Sequence, residues 1–131
     1  MDVRMNLARI VIQDTSSEQI IFLREADGDR EFPILIGDAE AIAIDRRLKG
    51  TPTPRPMTHD LLANVIEAMG GTLERIEIND LQAQTYFAKL HIRQDGRLLE
   101  IDSRPSDAIA LGIASQVPIY VAEHVLRDAA D

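Results

Sequence analysis

Three short segments of this chain carry more charge than a packed core requires: RPMTHD at 55–60, EIDSRPSDAIAL at 100–111 and GDAEAIAI at 37–44. In the first, Arg55, His59 and Asp60 crowd the mouth of an expected helix, where free backbone N–H groups already favour an anion such as phosphate. The same residues also make a plain helix start, with Thr58 as cap, Asp60 as dipole partner and His59 in solvent. In the second segment Asp102 and Asp107 flank Arg104 across a strand-to-helix turn. Two carboxylates so placed could converge on Mg²⁺ or Mn²⁺, which prefer oxygen ligands. They could equally serve the fold, Asp107 facing the helix dipole, Asp102 pairing with Arg104 and Ser106 capping the helix. In the third, Glu40 stands at a helix start as Asp107 does, either a second dipole partner or half of a shared site.

Charge limits what such a site could bind. The net charge is −8, and acidic residues outnumber basic ones in both halves of the chain. A polyanion is therefore repelled at long range and needs a local basic patch or bridging cations. One patch exists: Arg46, Arg47, Lys49 and Arg55 fall within ten residues with no acid among them, as phosphate contacts or as a solvated helix end. There is no cysteine, so no disulfide, thiolate metal site or thiol nucleophile, which fits a cytoplasmic protein. Glycine-rich phosphate loops, a nucleophile elbow and His pairs at helical zinc spacing are absent. His91 lies in a strand pattern, where a lone histidine is usually structural. Five aromatic residues, Phe22, Phe32, Tyr86, Phe87 and Tyr120, make a poor platform for stacking bases.

The elements that must hold these segments are written twice. LARIVIQD at 7–14 lines up with LERIEIND at 73–80; each copy then reaches an Asp-Gly pair, Asp27-Gly28 or Asp95-Gly96, a short apolar strand, and EAIAI or DAIAL. A constant offset argues for duplication. The first segments alternate as strands do, with Leu7 and Val11 on one side and Ile10 and Ile12 on the other. Second strands are expected at 20–25 and 85–92, and the Asp-Gly pairs suit hairpin turns. Helices are expected over 39–48 and 107–115, capped by Asp38 and Ser106. A linking helix begins at Thr58 and stops at Gly70-Gly71 after the stiff TPTPRP connector. A strand at 118–122 and a short helix at 123–129 close an α+β fold. Residues 1–131 read as one domain with halves at about 3–50 and 71–126. The start, MDVRMNLARIVIQD, alternates like a strand and does not read as a signal peptide, and no run approaches a membrane span.

FPILIGDAEAIAI, PRPMTHDLL, IEINDLQAQTYFAKL and IDSRPSDAIALG followed by VPIYV, in this order and spacing, resemble the bifunctional nuclease domain over about residues 3–126. The resemblance implies an α+β fold, assembly as a homodimer, and cleavage of both DNA and RNA. The resemblance further implies that many bacterial members carry a small helical motif after the domain, which the residues up to Asp131 do not include, so the resemblance does not carry over a partner recruited that way. Cleaving DNA rules out a 2′-hydroxyl nucleophile, so one site acting on both nucleic acids must activate water, usually with a metal held by carboxylates. The expected set is Asp102 and Asp107 around a divalent cation with Glu40 or Asp60 joining them, His59 as general acid or base, and Arg55, Arg104, Arg46, Arg47 and Lys49 on the phosphate. The competing class is a regulatory module that binds a protein or a small anion without cleaving anything.

Overall fold

The computed structural model describes residues 1–130, which form a mixed seven-stranded sheet and four helices. In chain order these are β1 (Asp2–Val11), β2 (Glu18–Glu25), β3 (Glu31–Gly37), α1 (Asp38–Lys49), α2 (Thr58–Ala68), β4 (Gly71–Gln82), β5 (Thr85–Gln94), β6 (Arg97–Ser103), α3 (Pro105–Gly112), β7 (Ile119–Ala122) and α4 (Glu123–Ala130). The sheet order is β3-β2-β1-β7-β4-β5-β6. Two antiparallel three-stranded units thus flank β7, which runs antiparallel to β1 and parallel to β4. The fold is α+β, and among the described residues no helix is long and apolar enough to cross a membrane.

Strand alternation builds the core. Ile21 and Leu23 of β2, Phe32 and Ile34 of β3, Ile76 and Ile78 of β4, Ala88, Leu90 and Ile92 of β5, and Ile119 and Val121 of β7 all turn inward and are buried. The sheet wraps around this core: Phe32 and Tyr86, on strands far apart in the sheet order, bring their rings to 5.7 Å. Within the wrap α1 packs on α3, and of α3 every residue except Asp107 is buried. Val125 and Leu126 of α4 complete the core, with α4 against β3, β4 and β7.

Two local expectations change. The first concerns alternation in β1, where the register slips between Leu7 and Arg9. The extra residue of this bulge reverses the phase, so Leu7 opposite Leu23 and Ile10 opposite Ile21 both face the core rather than opposite sides. β4 slips at the matching point, between Leu73 and Arg75.

The second concerns helix caps, which sit one or two residues earlier than composition suggests. Gly37, Met57 and Arg104 have the extended backbone of cap residues, so Asp38 and Thr58 begin their helices and Ser106 is buried in the first turn of α3. Pro105 explains the last shift, since its ring suits the first helical position and its missing N–H is no loss there. Asp38 instead accepts a hydrogen bond from Gln19 Nε2 at 2.7 Å. Helical hydrogen bonding in α3 stops at Gly112, and residues 113–115 tighten into a 3₁₀ turn.

Candidate active site

The starts of α1, α2 and α3 converge with the adjoining strands β5 and β6 on an open cleft of about 1010 Å³. Its walls are largely apolar: Ile42 and Ala43 of α1, Met57, Leu62 and Ile66 at and along α2, Leu90 and Ile92 of β5, and Ile101 of β6. Polar groups gather where the helices begin, namely Glu40 in the first turn of α1, His59 in that of α2, and Arg104 and Asp107 at the start of α3, while Arg46 reaches the cleft from the last turn of α1.

These groups form a continuous chain. His59 Nε2 lies 3.0 Å from Asp107 Oδ1, and Arg104 Nε donates to Asp107 Oδ2 at 2.9 Å. Arg104 then reaches across with its NH2 group to Glu40 Oε1 at 3.1 Å. The His59 side chain is only 14% exposed, so it is held at the cleft wall rather than waving in solvent. Burial pushes the Asp107 carboxyl up, but the hydrogen bonds and charges of Arg104 and His59 outweigh this and leave it below the ordinary carboxylate value. The guanidinium of Arg104 is held protonated more firmly than usual, first by Asp107 and then by Glu40. An ionised carboxylate fixing an imidazole in place is the arrangement that makes histidine an effective proton acceptor.

Asp60 belongs to a second network behind the first. It accepts the Met57 N–H at 2.9 Å, an Arg46 hydrogen bond at 2.9 Å and a close ion pair with Arg47. The Met57 hydrogen bond comes first in keeping its pKa low, followed by the two arginines against an opposing burial effect. Arg47 is buried and also donates to the Ala110 and Leu111 carbonyls of α3. These two residues therefore clamp α1, α2 and α3 together and set where His59 meets Asp107.

The other expected site residues are dispersed. Lys49 pairs with Asp45 at 3.0 Å on the outer end of α1, and Arg55 is exposed on the connector outside the cleft lining. Asp102 borders the cleft, but its register opposite Lys89 carries it to the sheet face of Glu100, away from Ile101 and Leu90. Glu40 and Asp107 both face the cation of Arg104, so these carboxylates do not form a cage fitted to a metal ion. The His59 to Asp107 contact lay beyond sequence reading because the two residues sit on different helices. The apolar cleft walls were equally hidden, since periodicity does not tell an inward position that lines a cleft, such as Leu62, Leu90 or Ile101, from one sealed in the core.

The profile of the bifunctional nuclease domain matches residues 21–131. A Mycobacterium tuberculosis protein described only as uncharacterized is 42% identical over 120 residues, which cover 92% of this chain and 71% of that protein. Bifunctional nuclease 1 of Oryza sativa subsp. japonica is 26% identical over 91% of the chain, and that of Arabidopsis thaliana 23% identical over 87%. The chain spans only 37% and 36% of those two plant proteins. A profile match across most of its length and a close bacterial relative place the chain in the bifunctional nuclease domain family.

Proposed function

We propose that this protein hydrolyses phosphodiester bonds of DNA and RNA in the cleft between the three helix starts. The observation that carries the proposal is the His59, Asp107, Arg104 and Glu40 chain at the cleft wall. With Nε2 hydrogen-bonded to Asp107, His59 offers its other ring nitrogen to a water molecule and takes its proton as the oxygen attacks phosphorus. The phosphorus bond to one sugar oxygen breaks, and that oxygen leaves as a hydroxyl, taking its proton from solvent or from the imidazolium. Asp107 holds the ring and stabilises the imidazolium that forms. Arg104 and Arg46, both lining the cleft, stabilise charge on the phosphate oxygens. A divalent cation brought in with the nucleic acid would offset the repulsion of a chain of net charge −8.

Names of the plant relatives support the substrate class, and the family membership supports the reaction. Assembly as a homodimer is part of the proposal, supported by α2, which buries no residue and exposes Leu61 and Val65, with Met69 exposed at its C-terminal cap. The apolar cleft walls favour a second reading, a regulatory module that binds a ligand with an apolar body and an anionic group.

One experiment separates the two. Labelled single- and double-stranded DNA and RNA are incubated with purified protein in Mg²⁺, Mn²⁺ or EDTA, beside folded His59→Ala and Asp107→Asn variants. Cleavage lost in both variants supports the nuclease. Equal traces of activity in all three proteins refute it and leave the binding module.

A further inference from the structure

On the sheet face turned away from the cleft, β4, β5 and β6 bring Glu77, His91 and Glu100 together. Alternation fixes this placement: His91 lies between Leu90 and Ile92, which point to the cleft side, and pairs with Glu100 across to β6. Glu77 Oε1 is 2.9 Å and Glu100 Oε1 3.9 Å from His91 Nε2, and one ligand atom from each residue lies within 4.8 Å of the others. A zinc ion bonded to nitrogen and carboxylate oxygen at about 2.1 Å holds its ligands about 3.4 Å apart, within the range these three atoms span.

Two further observations separate this cluster from an ordinary surface ion pair. The His91 side chain is 7% exposed and that of Glu77 17%, so the groups are already ordered and largely removed from water. Charge is also left over: among the described residues neither carboxylate lies within 4.0 Å of a lysine or arginine nitrogen; Arg75 is engaged by Asp2 and Arg93 by Glu74, and Lys89, opposite Glu77 in register, makes no ion pair with it. Two carboxylates therefore share one imidazole, and Glu100 is too far for a hydrogen bond to it.

We propose that Glu77, His91 and Glu100 bind a divalent transition-metal ion, Zn²⁺ best and Mn²⁺ more weakly, at a site distinct from the cleft. The imidazole ligand favours these ions over Mg²⁺. Nε2 must offer its lone pair to the ion, so the hydrogen it shares with Glu77 leaves: a neutral ring shifts to its other tautomer, and a charged ring releases one proton. Water completes the coordination on the open side at Glu100. The ion cross-links three strands of one half of the sheet.

The test is calorimetric titration of the chelator-treated full chain with Zn²⁺ and with Mn²⁺, alongside metal analysis after gel filtration. One Zn²⁺ per chain is expected, with a rise in melting temperature. Glu100→Gln, at a half-exposed position that keeps its shape, should weaken binding at least tenfold, and Glu77→Gln likewise. Asp107→Asn, in the cleft, should leave it unchanged. Equal affinity in wild type and Glu100→Gln, or loss of the ion in Asp107→Asn, would overturn the assignment, as would no retained zinc.

Discussion

His59 and Asp107 are 48 residues apart in sequence, yet His59 Nε2 rests 3.0 Å from Asp107 Oδ1. The pair joins the first turn of α2 to the first turn of α3, and both side chains open on the same cleft.

If that pair moves the proton in phosphodiester hydrolysis, His59→Ala should lower kcat/KM by about 10²–10⁴-fold. Asp107→Asn should lower it by a similar factor, acting chiefly on kcat because the imidazole loses its orienting charge. The assay is cleavage of labelled DNA and RNA, with circular dichroism to confirm that each variant is folded. Full activity in folded His59→Ala would end the assignment.

Removing the clamp should cost stability rather than chemistry alone. Asp60→Ala leaves the buried Arg47 guanidinium without its carboxylate and frees the Met57 N–H. Its partial exposure tempers the loss, which should be about 2 kcal/mol by urea denaturation. The variant Arg47→Met, which removes the stranded charge as well, should be less damaging when added to Asp60→Ala than when made alone. Additive losses would show that the two residues do not act as a pair.

Gly112 ends α3 against the sheet. A methyl group there would come within 2.7 Å of Ile76 Cδ1 and 3.1 Å of Val117 Cβ. The backbone is ordinary right-handed, so a helix former would otherwise help by about 1 kcal/mol, while crowding costs about 1–3 kcal/mol. Gly112→Ala should therefore be destabilising, read as a lower urea midpoint with an unchanged slope. A raised midpoint would mean that Ile76 repacks freely.

Acid should weaken the fold through a defined set of carboxylates. Glu25 and Glu123 are held low by Arg30, Asp60 by Met57 and the two arginines, Asp80 by Gln82 and the Leu81 N–H, and Asp107 by Arg104 and His59 against the effect of burial. Each is lowered in the folded state, so the unfolded chain binds more protons as pH falls past about 4. The stability these groups supply is complete above that range and is lost as pH drops through their folded values. Melting temperature should fall steeply below about pH 4, and more shallowly in Asp60→Asn. The same steepness in both proteins would remove Asp60 from the set.

Much of the fold is legible in the chain because it depends on neighbours in sequence. Alternation in FPILI and TYFAKLHI, the Asp95-Gly96 turn with both residues at positive φ, and the Gly70-Gly71 stop each follow from local backbone and burial preferences. The caps were displaced by a residue or two because side-chain type alone does not report the extended backbone at Gly37, Met57 and Arg104. The bulge at Ala8 was invisible for a similar reason, being set by pairing with β2.

The charged segments at 37–44, 55–60 and 100–111 could be picked out from residue types, but their partners could not. A strand reverses its face at every residue, so the register of β6 decided that Asp102 stands with Glu100 while Ile101 lines the cleft. Helix packing decided that Asp107 meets His59 and Arg104, and that Asp60 is taken up by Arg46 and Arg47. His91 read alone is a structural histidine; only the pairing of three strands sets two carboxylates beside it. Secondary structure follows from interactions a few residues long, whereas a site depends on which distant segments share one small volume, and that is settled by packing of the whole chain.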